Sequence, residues 1–111
     1  KRELYLTAYQ REQRFAVVVA ASLTGQTMLL KGNITTIAAP GEPVIQTPPA
    51  NPALATAGSG DVLAGILGAL LASNSDEISS GALKLSDIAL AGALLHARAG
   101  DFAAKDGPVA A

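Results

Sequence analysis

The chain is 111 residues long, half of them hydrophobic and 15% charged, with no cysteine and one histidine. That length suits one small domain, taken as 1–111, and excludes a two-domain reading as well as a disordered, solvating chain. Eight Lys and Arg against nine Asp and Glu leave a net charge of -1, so nothing draws the molecule to nucleic acid or an anionic membrane; the missing cysteines remove disulfides, thiolate metal sites and Cys nucleophiles, as in a reducing, cytoplasmic setting.

The first predicted element is a helix over about residues 7 to 23, with Phe15, Ala16, Val19, Ala20 and Leu23 along its inner face, although the β-branched run Val17–Val19 weakens the pattern. Its polar, charge-mixed start is unlike an export signal. Gly25 suits a left-handed helix terminus. Thr27–Leu30 reads as a short strand, Ile34–Ala38 as a second, Pro40-Gly41-Glu42-Pro43 as a turn, and Val44-Ile45-Gln46 as the returning partner. Three prolines between Thr47 and Ala53 require a surface connection. From Gly58, an apolar stripe of Leu63, Ile66, Leu67, Leu70 and Leu71 predicts a helix to about Ser73. The apolar run Val62–Ala72, 11 residues, is far short of the roughly 20 that a membrane span needs.

A polar loop is expected at Asn74-Ser75-Asp76 and Ser79-Ser80-Gly81. Ser86 or Asp87 then caps a last helix with Ile88, Ala91, Leu94, Leu95 and Phe102 facing inward, ended by Gly107-Pro108. With aromatics at 4%, the core must be built from Ala, Leu, Val and Ile. Alternating helix and strand patterns with small side chains favour an α/β layering of helices on a parallel sheet.

The richest segment is Asn51–Gly65. Gly58 and Gly60 remove side-chain bulk and open backbone angles closed to other residues, so successive N–H groups can converge on an anion. A helix beginning there adds the free amides of its first turn and its positive dipole end, which suits a phosphate. Asp61 beside such a site could take a proton from a hydroxyl attacking phosphorus. The plainer alternative makes Gly58-Ser59-Gly60 a loop and Asp61 a helix cap. The segment is neither a Walker loop nor a Rossmann fingerprint. Lys31, ending a strand, reads as a solvated edge residue; His96 reads as a packing histidine, Asp101 as a surface or capping carboxylate, and Gly65 and Gly68 as close-packing positions between helices.

Leu30-Lys31-Gly32-x-x-Thr35, Asn51–Thr56, Ala57–Gly65 and Leu95-His96-Ala97-x-Ala99-Gly100-Asp101, in this order and spacing, resemble the ADP/ATP-dependent NAD(P)H-hydrate dehydratase family of the ribokinase-like superfamily. The resemblance implies a three-layer αβα fold of which this chain is about the C-terminal half. It also implies an enzyme that repairs hydrated NADH or NADPH by phosphorylating the ring hydroxyl and losing phosphate. On the matching positions, Asp61 would activate the hydroxyl and contact substrate. Gly58, Ser59 and Gly60 would give backbone donors to the phosphoryl group, with Thr56 and Ala57 beside them; Lys31, Gly32, Asn33, Ile34 and Thr35 would line the adenine nucleotide site. ADP or ATP is the implied donor, with Mg²⁺ carried on the phosphate oxygens and no protein metal ligands.

Relatives of this kind run to about twice this length, so full activity is expected to need an N-terminal half. Uncovered apolar helix faces and an open sheet edge point to association, with a homo-oligomer expected. A small-molecule or vitamin kinase of the same superfamily and a non-catalytic nucleotide-binding fragment are the alternative functions.

Overall fold

In a computed structural model, residues 2–49, 51–52 and 58–104 are described, with side chains described for 10–49, 51–52 and 58–102. The element order is α1 (Arg2–Thr24), β1 (Met28–Leu30), β2 (Thr36–Ala38), β3 (Ile45–Gln46), α2 (Ser59–Ser73), α3 (Ser75–Ser80) and α4 (Leu85–Ala104). No helix among the described residues is long and apolar enough to cross a membrane.

β2 is the centre of a three-stranded sheet ordered β1-β2-β3. Ile37 stands opposite Leu29 on one side and Ile45 on the other, and both pairings are antiparallel. The parallel sheet expected from the layering argument is therefore absent among the described strands. The short connections explain this: five residues from β1 to β2 and six from β2 to β3 cannot make the crossover that a parallel pair needs.

All three residues of β2 are buried, so both faces of the central strand are covered. Ala38 packs with Val17 and Ala21 of α1. Thr36 shares that face, and its Oγ1 accepts from Gln46 Nε2 at 3.2 Å while the same amide reaches the Gln10 carbonyl of α1 at 3.4 Å. Strand alternation puts Ile37 on the opposite face, where α4 meets β2. Helices thus lie on either side of a small sheet, as an α/β fold requires.

The helices form largely where expected, yet two bury different faces. α1 extends back to Arg2, and its buried row is Gln13, Val17 and Ala21, while Phe15 is 73% and Leu23 82% exposed. The i, i+4, i+8 row of small and polar residues wins because Gln13 Nε2 donates to the Ile34 carbonyl at 2.8 Å, an anchor invisible to a hydrophobic pattern. Gly25 ends the helix with φ 69, and its N–H bonds the Ala21 carbonyl at 2.9 Å, the left-handed stop expected there.

In α4, Ile88 is buried as expected, but Ala91, Leu94, Leu95 and Phe102 face solvent. The inner face is Ser86, Ala89, Gly92, Ala93 and His96, small residues that let α2 and α4 approach closely. A Cβ at Gly92 would collide with the Leu67 side chain, whose Cδ2 and Cγ lie against it, the latter at 3.2 Å. Gly65 and Gly68, expected to serve that packing, have nothing within 4 Å of where a Cβ would sit; the close-packing glycine is on the partner helix.

The polar stretch after α2 is not a plain loop: Ser75–Ser80 forms α3. Asn74 ends one helix and starts the next, its N–H and Nδ2 both donating to the Leu70 carbonyl (3.1 and 2.8 Å) while its own carbonyl accepts from Ile78. Asp76 and Glu77 in the first turn suit the positive helix end, and Gly81, at φ 85, closes it. At the start of α4, Asp87 Oδ2 accepts the Lys84 N–H at 2.8 Å, the reach-back half of a capping box. Ser86 does not cap; its hydroxyl donates to Glu42 Oε1 at 2.5 Å. Gly107-Pro108 lies outside the described residues.

Candidate functional site

The α2 N-terminus is the conformation expected of a glycine-opened helix. Gly58 is the N-cap at φ 91, ψ -13, a left-handed geometry, and no side chain caps the helix. Its carbonyl accepts from the N–H groups of Asp61 (3.1 Å) and Val62 (3.2 Å). The N–H groups of Ser59 and Gly60 precede any intrahelical acceptor. Gly60 is helical, with no positive φ, so its bare backbone, not a special torsion, is what it offers. Asp61 is neither cap nor buried: it sits exposed in the first turn.

Ser59 faces the other way. It is 3% exposed, and its Oγ lies 3.0 Å from His96 Nε2 of α4. His96, itself 5% exposed, is the satisfied buried histidine that its apolar surroundings suggested, and it also lines a cleft.

That cleft has a volume of about 270 Å³ and is walled by Lys31, Gly32, Asn33 and Thr35 after β1, by Thr47, Pro48, Asn51 and Pro52 of the proline-rich connection, and by Leu63, Ala93, His96 and Ala97 of α2 and α4. Of the residues proposed from sequence, Lys31, Gly32, Asn33 and Thr35 line it. Ile34 does not: it is 5% exposed, its side chain in the core and its carbonyl held by Gln13. Gly58, Gly60 and Asp61 are exposed and outside the lining; Ser59 touches it only through His96. Asp61 follows Ser59 by two residues, about 200° around a helix, so it points away from α4. Thr56 and Ala57 lie outside the described residues. His96, read from sequence as packing, and Thr47, Pro48, Asn51 and Pro52 are the additions; Asn51, Pro52 and His96 lie in segments that carry the family resemblance, while the prolines alone marked only a surface connection.

The described lining contains a lysine and no carboxylate. Among the described residues no group of three or more His, Asp or Glu is placed to hold a metal ion. The donor set therefore suits an anion and does not fit a protein-held Mg²⁺.

The His96 pKa is lowered from 6.5, first by burial and next by the positive charge of Lys31, with a backbone hydrogen bond at Ser59 pulling weakly upward. A histidine whose folded pKa is lowered lends stability that is present above 6.5 and is lost as pH falls through its folded value, because the unfolded chain takes up the proton first. The urea midpoint is thus expected to drop between pH 7.5 and 5.5. His96→Gln should flatten that slope; an equal slope in both proteins would assign it to other groups.

A family model described as NAD(P)H-hydrate dehydratase matches residues 5–111. The bifunctional NAD(P)H-hydrate repair enzyme Nnr of Mycobacterium leprae is 49% identical over 82 residues, 74% of this chain and 16% of that protein. The Nnr protein of Mycobacterium tuberculosis (strain CDC 1551) is 60% identical over 53 residues, 48% of this chain and 11% of the relative. An ADP-dependent (S)-NAD(P)H-hydrate dehydratase of Neisseria meningitidis is 37% identical over 102 residues, 92% of this chain. The chain spans 32% of that last relative and less of the other two. No solved structure matches significantly.

Proposed function

Because this chain belongs to the NAD(P)H-hydrate dehydratase family, we propose that it forms the nucleotide-handling part of an ADP- or ATP-dependent enzyme that restores hydrated NADH or NADPH. Its fold is read as part of a ribokinase-like three-layer domain acting in the cytoplasm. The observation that carries the reading is the cleft whose described lining holds Lys31 and no carboxylate, tied through His96 and Ser59 to the first turn of α2. A cation and the amides that open a helix, near one cavity, suit a nucleotide phosphate.

In the proposed reaction Asp61 accepts the proton of the ring hydroxyl as its oxygen bonds to the terminal phosphorus. The bond from that phosphorus to the bridging oxygen breaks, and the shortened nucleotide leaves. The ring C–O bond then breaks to release inorganic phosphate, and loss of a ring proton restores the reduced nicotinamide. Backbone N–H groups of Gly58, Ser59 and Gly60 would stabilise the charge gathering on the phosphoryl oxygens. Mg²⁺, if bound with the nucleotide, would neutralise phosphate charge. Ligand sites commonly run to 300–1,000 Å³; a cleft of about 270 Å³ has room for part of one nucleotide and not for a dinucleotide as well. The hydrated ring would thus meet Asp61 on the outer side of α2, and a second copy or further chain would complete the wall.

The test incubates the protein with hydrated NADH, ADP or ATP and Mg²⁺, following reduced-nicotinamide absorbance and phosphate. Recovery with stoichiometric phosphate is expected. A phosphorylated product released intact would mark a small-molecule kinase; nucleotide binding without turnover would leave only the non-catalytic reading.

A further inference from the structure

We propose that His96 is a positioning residue: its ring fixes the Ser59 hydroxyl and thereby holds the first turn of α2 against α4, with its free amides beside the Lys31 cleft. The inference rests on the nucleotide reading above and adds a residue to it. Its basis is geometric. Ser59 Oγ and His96 Nε2 are 3.0 Å apart, and both residues are at least nine-tenths buried. No side chain caps α2, and the cap residue is a left-handed glycine with no side chain to steer the turn. The Ser59–His96 bond is therefore the side-chain tether, among those described, between this turn and the rest of the fold. On its other side the ring forms part of the cleft wall that includes Lys31.

A helix N-terminus binds a phosphate by preorganised amides, and its contribution falls when the turn must be ordered at the moment of binding. A buried neutral bond that holds such a turn is expected to affect affinity by about 3- to 10-fold. The bond needs a polar atom where Nε2 lies, not an imidazole as such. His96→Gln, whose amide reaches a similar position, should retain it, and His96→Leu should lose it.

The experiment measures ADP binding by calorimetry and by amide and imidazole NMR on the 111-residue chain, whose single histidine gives one ring signal. We expect ADP to move the His96 ring signal and the Gly60 and Lys31 amides. Ser59→Ala and His96→Leu should each weaken ADP by about 3- to 10-fold, the double variant no more than either alone, and His96→Gln should stay within about twofold of the parent. Each protein is compared only after its amide spectrum shows it folded. Should His96→Leu not fold, Ser59→Ala against the parent decides alone. ADP that shifts Lys31 and Thr35 with unchanged affinity in Ser59→Ala overturns the tether and leaves the nucleotide reading standing. Absence of any ADP-induced shift overturns both.

Discussion

Asp61→Asn is expected to lower the rate of NAD(P)H-hydrate dehydration by about 10²- to 10⁴-fold, the range that a positioned general base contributes. ADP affinity should hardly fall. The amide keeps the volume of the carboxylate but cannot take the hydroxyl proton, so the loss belongs to kcat. Two smaller effects act on the nucleotide and oppose each other. A negative charge in the first turn of α2 favours the helix by about 0.3–1 kcal/mol, and the same charge repels an incoming phosphate. Removing it therefore costs some helix stability and relieves some repulsion. The exposed position of Asp61 keeps both effects small through solvent screening. Single-turnover kinetics beside calorimetric ADP binding separate the two quantities. A rate within about threefold of the parent, with binding intact, removes Asp61 from the chemistry and returns it to an ordinary first-turn carboxylate.

How much of this was legible in the sequence depends on which physical signal each element carries. Gly25 and Gly58 were readable because a required left-handed torsion restricts the residue to glycine, and both adopt one, at φ 69 and 91. The three strands were readable from a short apolar run for β1, β-branched residues for β2 and β3, and the Pro-Gly turn between those two. Their antiparallel order was implicit in their short connections, which the layering argument passed over. Helix faces were read less well, because a hydrophobic pattern seeks the bulkiest stripe. In α1 and α4 the buried stripe is instead the one that lets neighbours come close: Gln13, Val17 and Ala21 in one, Ala89, Gly92, Ala93 and His96 in the other. The bulky residues left outside, Phe15, Leu23, Leu94, Leu95 and Phe102, are 47–82% exposed.

The site divides along the same line. Lys31, Gly32, Asn33 and Thr35 were placed together by the resemblance that Leu30-Lys31-Gly32-x-x-Thr35 carries, not by a local physical signal, and all four line the cleft. The Ser59–His96 bond spans 37 residues, and no local pattern announces a pairing at that separation. Leu63, Ala93 and Ala97 line the cleft as ordinary helix residues, recognisable only once α2 and α4 are packed. Asp61 belongs to the same motif as Ser59 yet faces the opposite side of its helix, so the motif serves two surfaces, one toward α4 and one outward.

Ile37→Ala should lower unfolding stability by about 2–5 kcal/mol, the usual cost of cutting a fully buried aliphatic side chain back to a methyl group. Ile37 is 0% exposed in the central strand, between Leu29 and Ile45, on the face that α4 covers. The buried face of α4, the helix that meets β2, is built of small residues such as Ala89 and Ala93, which have no length of side chain with which to fill space, so the upper half of the range is expected. A domain of this size commonly has only about 5–15 kcal/mol in hand, and the apolar faces left open on α1 and α4 bring nothing to it. The loss should therefore be visible as a large fall in urea midpoint, with the cleft loosened too, since α4 carries His96, Ala93 and Ala97 of its wall. Leu23→Ala, at a side chain 82% exposed, is the control, and its effect should stay within about 0.5 kcal/mol. Equal effects at the two positions would mean that β2 is not the centre of the core, and the placement of the cleft between the sheet and α4 would fall with it.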